Sequence, residues 1–596
     1  MKHMDLLWSA STTMRNPERT YSFLKTIKEI EGALWDDETQ MRLQSLLIKN
    51  RYYKPTKQNL SEQQIRVLED LTYQMSYDEA RDIFDSKKYT DAPMRGRTSF
   101  DPIEKLGLAA LEFDSEIHGY RVRITKLGQM FLDNIIALED VVFSNLLKFQ
   151  YPNPLTSDCK DYNTKPFINT LRLIKRVNEL CIEKGLKAKG VSKDEFGIFV
   201  LSIKSYDEVN EKAETLLQYR EKMSKLESEE DRQDYRSTFI KRYLSTFKEP
   251  VHNTKEYADN IIRYVRLTKF IYIRGGGYYI DLEPRRMVEI NALLEVDNGS
   301  AKDFTIDEYK SFIANYHSYI LPYETTEKLT IIAKNVIAEI NTIEGELGLT
   351  ISAFEMANNV TALKAQIDVL RDRRTALQNL KLKADYQEID KIDLAITSLK
   401  NIRMLGIKPS VALEKWANIA LNIINDALLI KPNSPLGDDN EPIFTAPAGV
   451  PDIECLYEGF GAICEVTMLT GRDQWFNEGQ PVMRHLRDFE TLHKSMDNYC
   501  LFVAPSLHQD TMNTFWNAVK YEYQGRKQKI IPLTISQLID ILQGIKSAKL
   551  NHRRVTKDDM KYLYESCTQL SLIPDSTKWS AFVTKQISNW QKTVVA

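Results

Sequence analysis

The 596-residue chain is poor in the residue types that announce small-protein chemistry. Its six cysteines, at 159, 181, 455, 464, 500 and 567, form no CxxC pair, so neither a zinc site nor a disulfide framework is indicated. Its eight histidines are dispersed. No apolar run approaches the ~20 residues of a membrane span. The opening "MKHMDLLWSASTTMRNPERT" has too short an apolar patch for a secretory signal, so a reducing, cytoplasmic location is expected. There is no repeat at solenoid period and no low-complexity tract, which excludes repeat and tail-like architectures. Charge of one sign is also missing. The net charge of −3 argues against a histone-like polyanion binder, but a DNA-binding enzyme remains open, because local basic patches set phosphate contact.

What is present is enough chain for two to four domains, with ordinary hydrophobic (43%) and charged (27%) content. In "HGYRVRITKLGQMFLDNII", Tyr120, Val122 and Ile124 alternate as a strand does, and Thr125 is placed to cap a helix "KLGQMFL". Strand, cap and helix in that order fit the end of a winged-helix module, and equally any strand-to-helix junction. A second such unit is expected at Asp259 to Ile290, where a basic helix precedes a hairpin "FIYIRGGGYYIDL" around Gly275, Gly276 and Gly277. Between about 300 and 400, apolar residues at three- and four-residue spacing predict charged helices that join two halves. After Pro409 the pattern reads helix, hairpin, helix, strand, helix, strand, an α/β layout.

The informative stretch is "PDIECLYEGFGAICEVT", Pro451 to Thr467. Centring its turn between Glu458 and Gly459 pairs Ile453 with Cys464 and Asp452 with Glu465, and paired residues share a face. One face then holds Ile453, Cys455, Tyr457, Ala462, Cys464 and Val466 against a core. The other presents Asp452, Glu454, Glu465 and Thr467. Two adjacent carboxylates repel, and a divalent cation such as Mg²⁺ relieves this, with the Val466 carbonyl as a third oxygen ligand. A solvated hairpin with exposed acids is the other reading of the same residues.

The pattern Pro451-Asp452, turn, Glu465-x-Thr467 resembles the PD-(D/E)xK nuclease core. The segments "ALEKW…APAGVPDIECLYEGFGAICEVTMLTGRDQWFNEGQPVMRHL", "SASTTMRNPERTYSFLKTIKEIEGALW" and "KFQYPNP" look like the AlwI family of type IIS restriction endonucleases and their strand-nicking relatives. The resemblance spans nearly the whole chain. It implies a mostly α chain with α/β parts: DNA-recognition subdomains with winged-helix-like character at 1–155 and 156–295, a helical linker at 296–405, and a nuclease domain of α/β type at 406–596. Its implied activity is Mg²⁺-dependent (Mn²⁺ as substitute) hydrolysis of duplex DNA a few base pairs outside a short asymmetric site. A nicking enzyme, the large subunit of a heterodimeric enzyme, and a DNA-binding protein with a dead nuclease domain are the competing expectations.

Carried over residue by residue, Asp452, Glu465 and Glu414 would be metal ligands with the Val466 carbonyl, and Glu478, in a loop before the Pro481 helix, a further acidic member. The motif's lysine is replaced by Thr467, which carries no charge. Arg484 or His485 on the following helix would then supply positive charge near the scissile phosphate. Arg15, Arg19, Arg95 and Arg97 are the expected base or phosphate contacts of the first recognition subdomain, and Arg263, Arg266 and Lys269 phosphate contacts of the second. The implied partners are double-stranded DNA, a transient homodimer on DNA or a small catalytic subunit, and a cognate methyltransferase in the same prokaryotic system, with no membrane.

Overall fold

A computed structural model describes residues 4–595, apart from 10–13, 15, 71–72, 157, 275–278, 406–407, 425, 444 and 447–448. The chain is mostly helical, with sheets. It divides into two compact units, Met1–Ile332 with Asn358–Val360, and Ala333–Ala357 with Thr361–Ala596.

The first unit contains α1 (Arg19–Lys28), α2 (Pro93–Lys105), the strands β1 (Ala109–Asp114) and β2 (Gly119–Ile124), and α3 (Lys126–Leu132). The β1–β2 ladder is antiparallel, from Ala109↔Ile124 to Asp114↔Gly119. Thr125 caps α3 by accepting the Gly128 N–H, as its position after the strand predicts. Of the three alternating residues only Val122 is buried, and Tyr120 is exposed. Further on, β3 (Val191–Ser192), α4 (Pro250–Leu267), β4 (Ile271–Arg274) and β5 (Tyr279–Leu282) form a second helix-and-hairpin element. Its sheet order is β3-β5-β4, and the short β3 was not visible in the sequence. The glycine turn between β4 and β5 lies outside the described residues.

In the second unit, apart from the first residue of α5, the charged segment forms α5 (Val360–Asp385) and α6 (Ile389–Lys400). They lead to α7 (Pro409–Ile424), β6 (Leu429–Pro432), β7 (Ile453–Tyr457), β8 (Phe460–Val466), α8 (Gly471–Leu492), β9 (Asp497–Ala504), α9 (Gln509–Lys520), β10 (Ile530–Thr534) and α10 (Ile535–Leu550). The five strands form one sheet in the order β10-β9-β8-β7-β6. β6, β7 and β8 pair antiparallel, while β9 and β10 run parallel to β8.

This order follows from the residues. "FGAICEV" and "YCLFVA" are apolar almost throughout because β8 and β9 are buried on both faces, as parallel interior strands are. β6 alternates exposed and half-buried residues and ends in Pro432, which suits an edge. The turn from β7 to β8 is Glu458-Gly459, with Gly459 at φ +94°, a conformation that favours glycine.

Candidate active site

The β7–β8 ladder has the register that the sequence predicts, Ile453↔Cys464 through Tyr457↔Phe460. Continued by one pair, it sets Asp452 across from Glu465 at the end of the hairpin farthest from its turn. The Asp452 Oδ2 accepts the Val466 N–H at 2.7 Å, so the first acid is tied to the residue after the second. The carboxylate face is not a solvated surface, however. Glu465 is 5% exposed. What covers that face is α8, which lies so close that a Cβ on Gly461 would stand 2.8 Å from the Phe489 ring. Gly461 and Glu465 share a face of β8, and Phe489 lies one turn beyond His485, so the glycine admits the helix that carries the site histidine.

His485 is therefore not a surface residue. Its Nδ1 lies 2.8 Å from Glu465 Oε1, and its Nε2 is buried without a hydrogen-bond partner. Burial, and then the charge of Arg484, push the imidazole down to about 4, so the ring is neutral at pH 7. This corrects the expectation that His485 supplies positive charge. Arg484 itself is exposed.

Glu478 is also placed differently from the expectation. It lies inside α8, which starts at Gly471 and runs through Pro481. A proline costs a helix one hydrogen bond and usually marks a helix start or a kink, which is why the sequence pointed to a loop before it. Inside the helix, Glu478 faces the cluster. Burial pushes its carboxyl up to about 7, a Thr467 hydrogen bond draws it back, and Asp452 adds repulsion. Asp452 is pushed up to about 6 by burial, against the pull of the Val466 N–H. Glu465 is held well above the ordinary carboxylate range by burial first, then by the charges of Asp452, Glu478 and Glu414. Glu414, on α7, is 5% exposed and accepts the Ala446 N–H at 3.1 Å.

The acids expected from the sequence thus converge electrostatically, drawn from α7, the residue before β7, β8 and α8. Such a cluster is unfavourable in isolation and suits a hard divalent cation. Among the described residues no three His, Cys, Asp or Glu side chains are grouped so that they could hold a metal ion. An open set of two carboxylates and a carbonyl suits Mg²⁺, which keeps several waters.

Two neighbours of the cluster were missed. Gln474, fully buried on α8, donates to Leu469 O at 3.0 Å and Ser506 O at 2.7 Å and accepts the His508 N–H at 2.8 Å. It joins the segments that leave β8 and β9. Asn433, just after β6, bonds to the Pro451–Glu454 segment. Neither has a spacing signal, because each acts through backbone groups that only the fold brings near.

The expected DNA contacts all fall in the first unit. Arg15 lies outside the described residues. Arg19 is exposed at the start of α1. Arg95 and Arg97 are on α2. Arg95 lies over the Tyr89 ring at 4.5 Å, while Arg97 donates to Asp91 at 2.7 Å and Gln40 at 2.9 Å. Arg263 pairs with Asp259 at 2.6 Å, and Arg266 is half-buried on the same helix, α4. Lys269 follows at φ +60°, 4.0 Å from Glu139. Among the described residues no helix is long and apolar enough to cross a membrane.

The family model described as AlwI restriction endonuclease matches residues 104–541 of this chain. Among solved structures, the small subunit (R.BspD6I2) of the heterodimeric restriction endonuclease R.BspD6I is similar, at 20% identity over 33% of this chain and 98% of that chain. The TM-score is 0.29. No curated protein matches.

Proposed function

Since the chain belongs to the AlwI restriction endonuclease family, we propose that it is a type IIS enzyme, with a Mg²⁺-dependent hydrolytic centre at the β7–β8 hairpin. The observation that carries this reading is the meeting of half-buried Asp452 and buried Glu465 at one end of the hairpin, both raised in pKa beside Glu478, Glu414 and His485.

Asp452, Glu465 and the Val466 carbonyl would hold the cation, with Glu414 behind them. When bound, Mg²⁺ supplies a water of lowered pKa and neutralises charge on the phosphodiester. The chain's own groups do the rest. Glu478, with a carboxyl near 7, takes the proton of the attacking water. The water oxygen bonds to phosphorus as a P–O bond of the backbone breaks, and the sugar oxygen that leaves with the electron pair takes a proton from solvent water. Neutral His485 keeps Glu465 oriented through its Nδ1 and brings no charge to the site. Thr467, where the general motif has lysine, supports Glu478 in place of a cationic side chain. The first unit would bind a short asymmetric duplex sequence, with Arg19 and Arg95 the least encumbered of the described cations expected to touch it.

One carboxylate cluster cuts one strand. Two-strand cleavage then needs a second centre, from a second copy or a small catalytic subunit, and a lone chain nicks. Mapping the ends made on plasmid DNA in Mg²⁺ tests this reading. Ends at a fixed distance from one recurring sequence support it. No cleavage of several plasmids that the protein still shifts in a gel would favour the binding-protein reading.

A further inference from the structure

The end of the hairpin that carries Asp452 is secured by a residue that touches neither DNA nor metal in the reading above. Pro432 closes β6 opposite Ile453, so the next residue, Asn433, stands opposite Asp452. Its N–H donates to the Asp452 carbonyl at 2.9 Å. Its side-chain amide donates twice more, to Pro451 O at 2.9 Å and to Glu454 Oε1 at 2.9 Å. One side chain therefore bonds to the residues on both flanks of Asp452, while its backbone holds Asp452 itself.

The arrangement matters because Asp452 lies just outside regular β7. Pro451 has no N–H, and β6 is the edge strand, so no further strand supports this segment. On the other side Asp452 Oδ2 is bound to the Val466 N–H. Asn433 and Val466 thus grip Asp452 from both neighbouring strands. Lys431, at 4.0 Å, is a distant substitute partner for Glu454.

We infer that Asn433 is a positioning residue for Asp452, fixing the carboxylate that would hold the divalent cation. The inference rests on the nuclease reading for its consequence in catalysis but not for its effect on cation binding. Groups that orient metal-ligating carboxylates cost about 10–100-fold in affinity or activity when removed. Asn433 is half-buried on an edge, so Asn433→Ala folds, keeps its N–H bond and loses both amide bonds.

The test compares wild type, Asn433→Ala and Glu454→Gln in two assays: the thermal shift produced by Mg²⁺ alone, and the Mg²⁺ dependence of plasmid cleavage. In Asn433→Ala the Mg²⁺ concentration for half-maximal shift and half-maximal rate should rise about tenfold, with KM for DNA unchanged. Glu454→Gln, which keeps the acceptor, should match wild type. An unchanged Mg²⁺ dependence in Asn433→Ala overturns the inference, as does an equal loss in Glu454→Gln or a wild type without any Mg²⁺ shift. A wild type that shows the Mg²⁺ shift but never cuts DNA would fault the nuclease reading, while a weakened shift in Asn433→Ala would still uphold the role of Asn433.

Discussion

Replacing Glu478 with glutamine should make the metal-free protein more stable at alkaline pH while removing its activity. Glu478 has a carboxyl raised from 4.5 to about 7, chiefly by burial, with Asp452 repulsion added. A raised carboxyl favours the protonated form in the folded state. The folded protein therefore suffers no penalty from this group below pH 4.5, loses stability as pH rises through the window to about 7, and bears the full penalty above it. At about 1.4 kcal/mol per pH step the whole window amounts to about 3 kcal/mol. For a unit of this size each kcal/mol moves the transition by roughly 2–4 °C, so Glu478→Gln should raise the Tm of the second unit by about 6–12 °C at pH 8 and by almost nothing at pH 4.5. Glutamine keeps the shape and an acceptor for Thr467. Calorimetry in EDTA at both pH values checks this, with plasmid cleavage measured alongside. An equal or lower Tm for Glu478→Gln at pH 8, or a gain of the same size at pH 4.5, would refute the argument that burial and charge crowding strain this carboxylate.

Three further outcomes follow from the packing. Gly461→Ala should cost about 1–3 kcal/mol and slow cleavage, because its Cβ would stand 2.8 Å from the Phe489 ring and 2.7 Å from Asn498 Oδ1; urea unfolding reads the loss. Gln474→Leu leaves two carbonyls and an N–H without their partner, so a loss of at least about 3 kcal/mol is expected, again by denaturant titration. In the first unit, Arg95→Ala should weaken binding to every duplex alike and lower the salt slope by about 1, whereas Arg97→Ala, whose guanidinium is held by Asp91, should do less in the same gel-shift series.

The hairpin was legible because both of its signals are local. Alternation fixes which residues share a face, and a two-residue turn at Gly459 fixes the register, so Asp452 and Glu465 could be paired from the sequence. The cover over that face was not legible. It depends on α8 crossing β8 at Gly461, a contact between residues 28 positions apart, Gly461 and Phe489, and it replaces a solvated face of acids by a covered one with His485 against Glu465. Pro481 misdirected the reading of Glu478, since a proline inside a helix looks like its beginning. β6 was missed because "LIKP" is short, half exposed and ends in proline, all properties of an edge strand. Asn433 and Gln474 act by bonding backbone groups, which leaves no trace in residue spacing.

The central claim is that the Asp452–Glu465 pair is a cation-dependent hydrolytic centre. Single-turnover cleavage of plasmid DNA by wild type, Asp452→Asn and Glu465→Gln, each in Mg²⁺ and in EDTA, tests it most directly. Loss of several kcal/mol of transition-state stabilisation, about a thousandfold in rate, is predicted for both variants and for EDTA, with gel-shift affinity for DNA retained. Cleavage by either variant at the wild-type rate, or wild-type cleavage undiminished by EDTA, would contradict it.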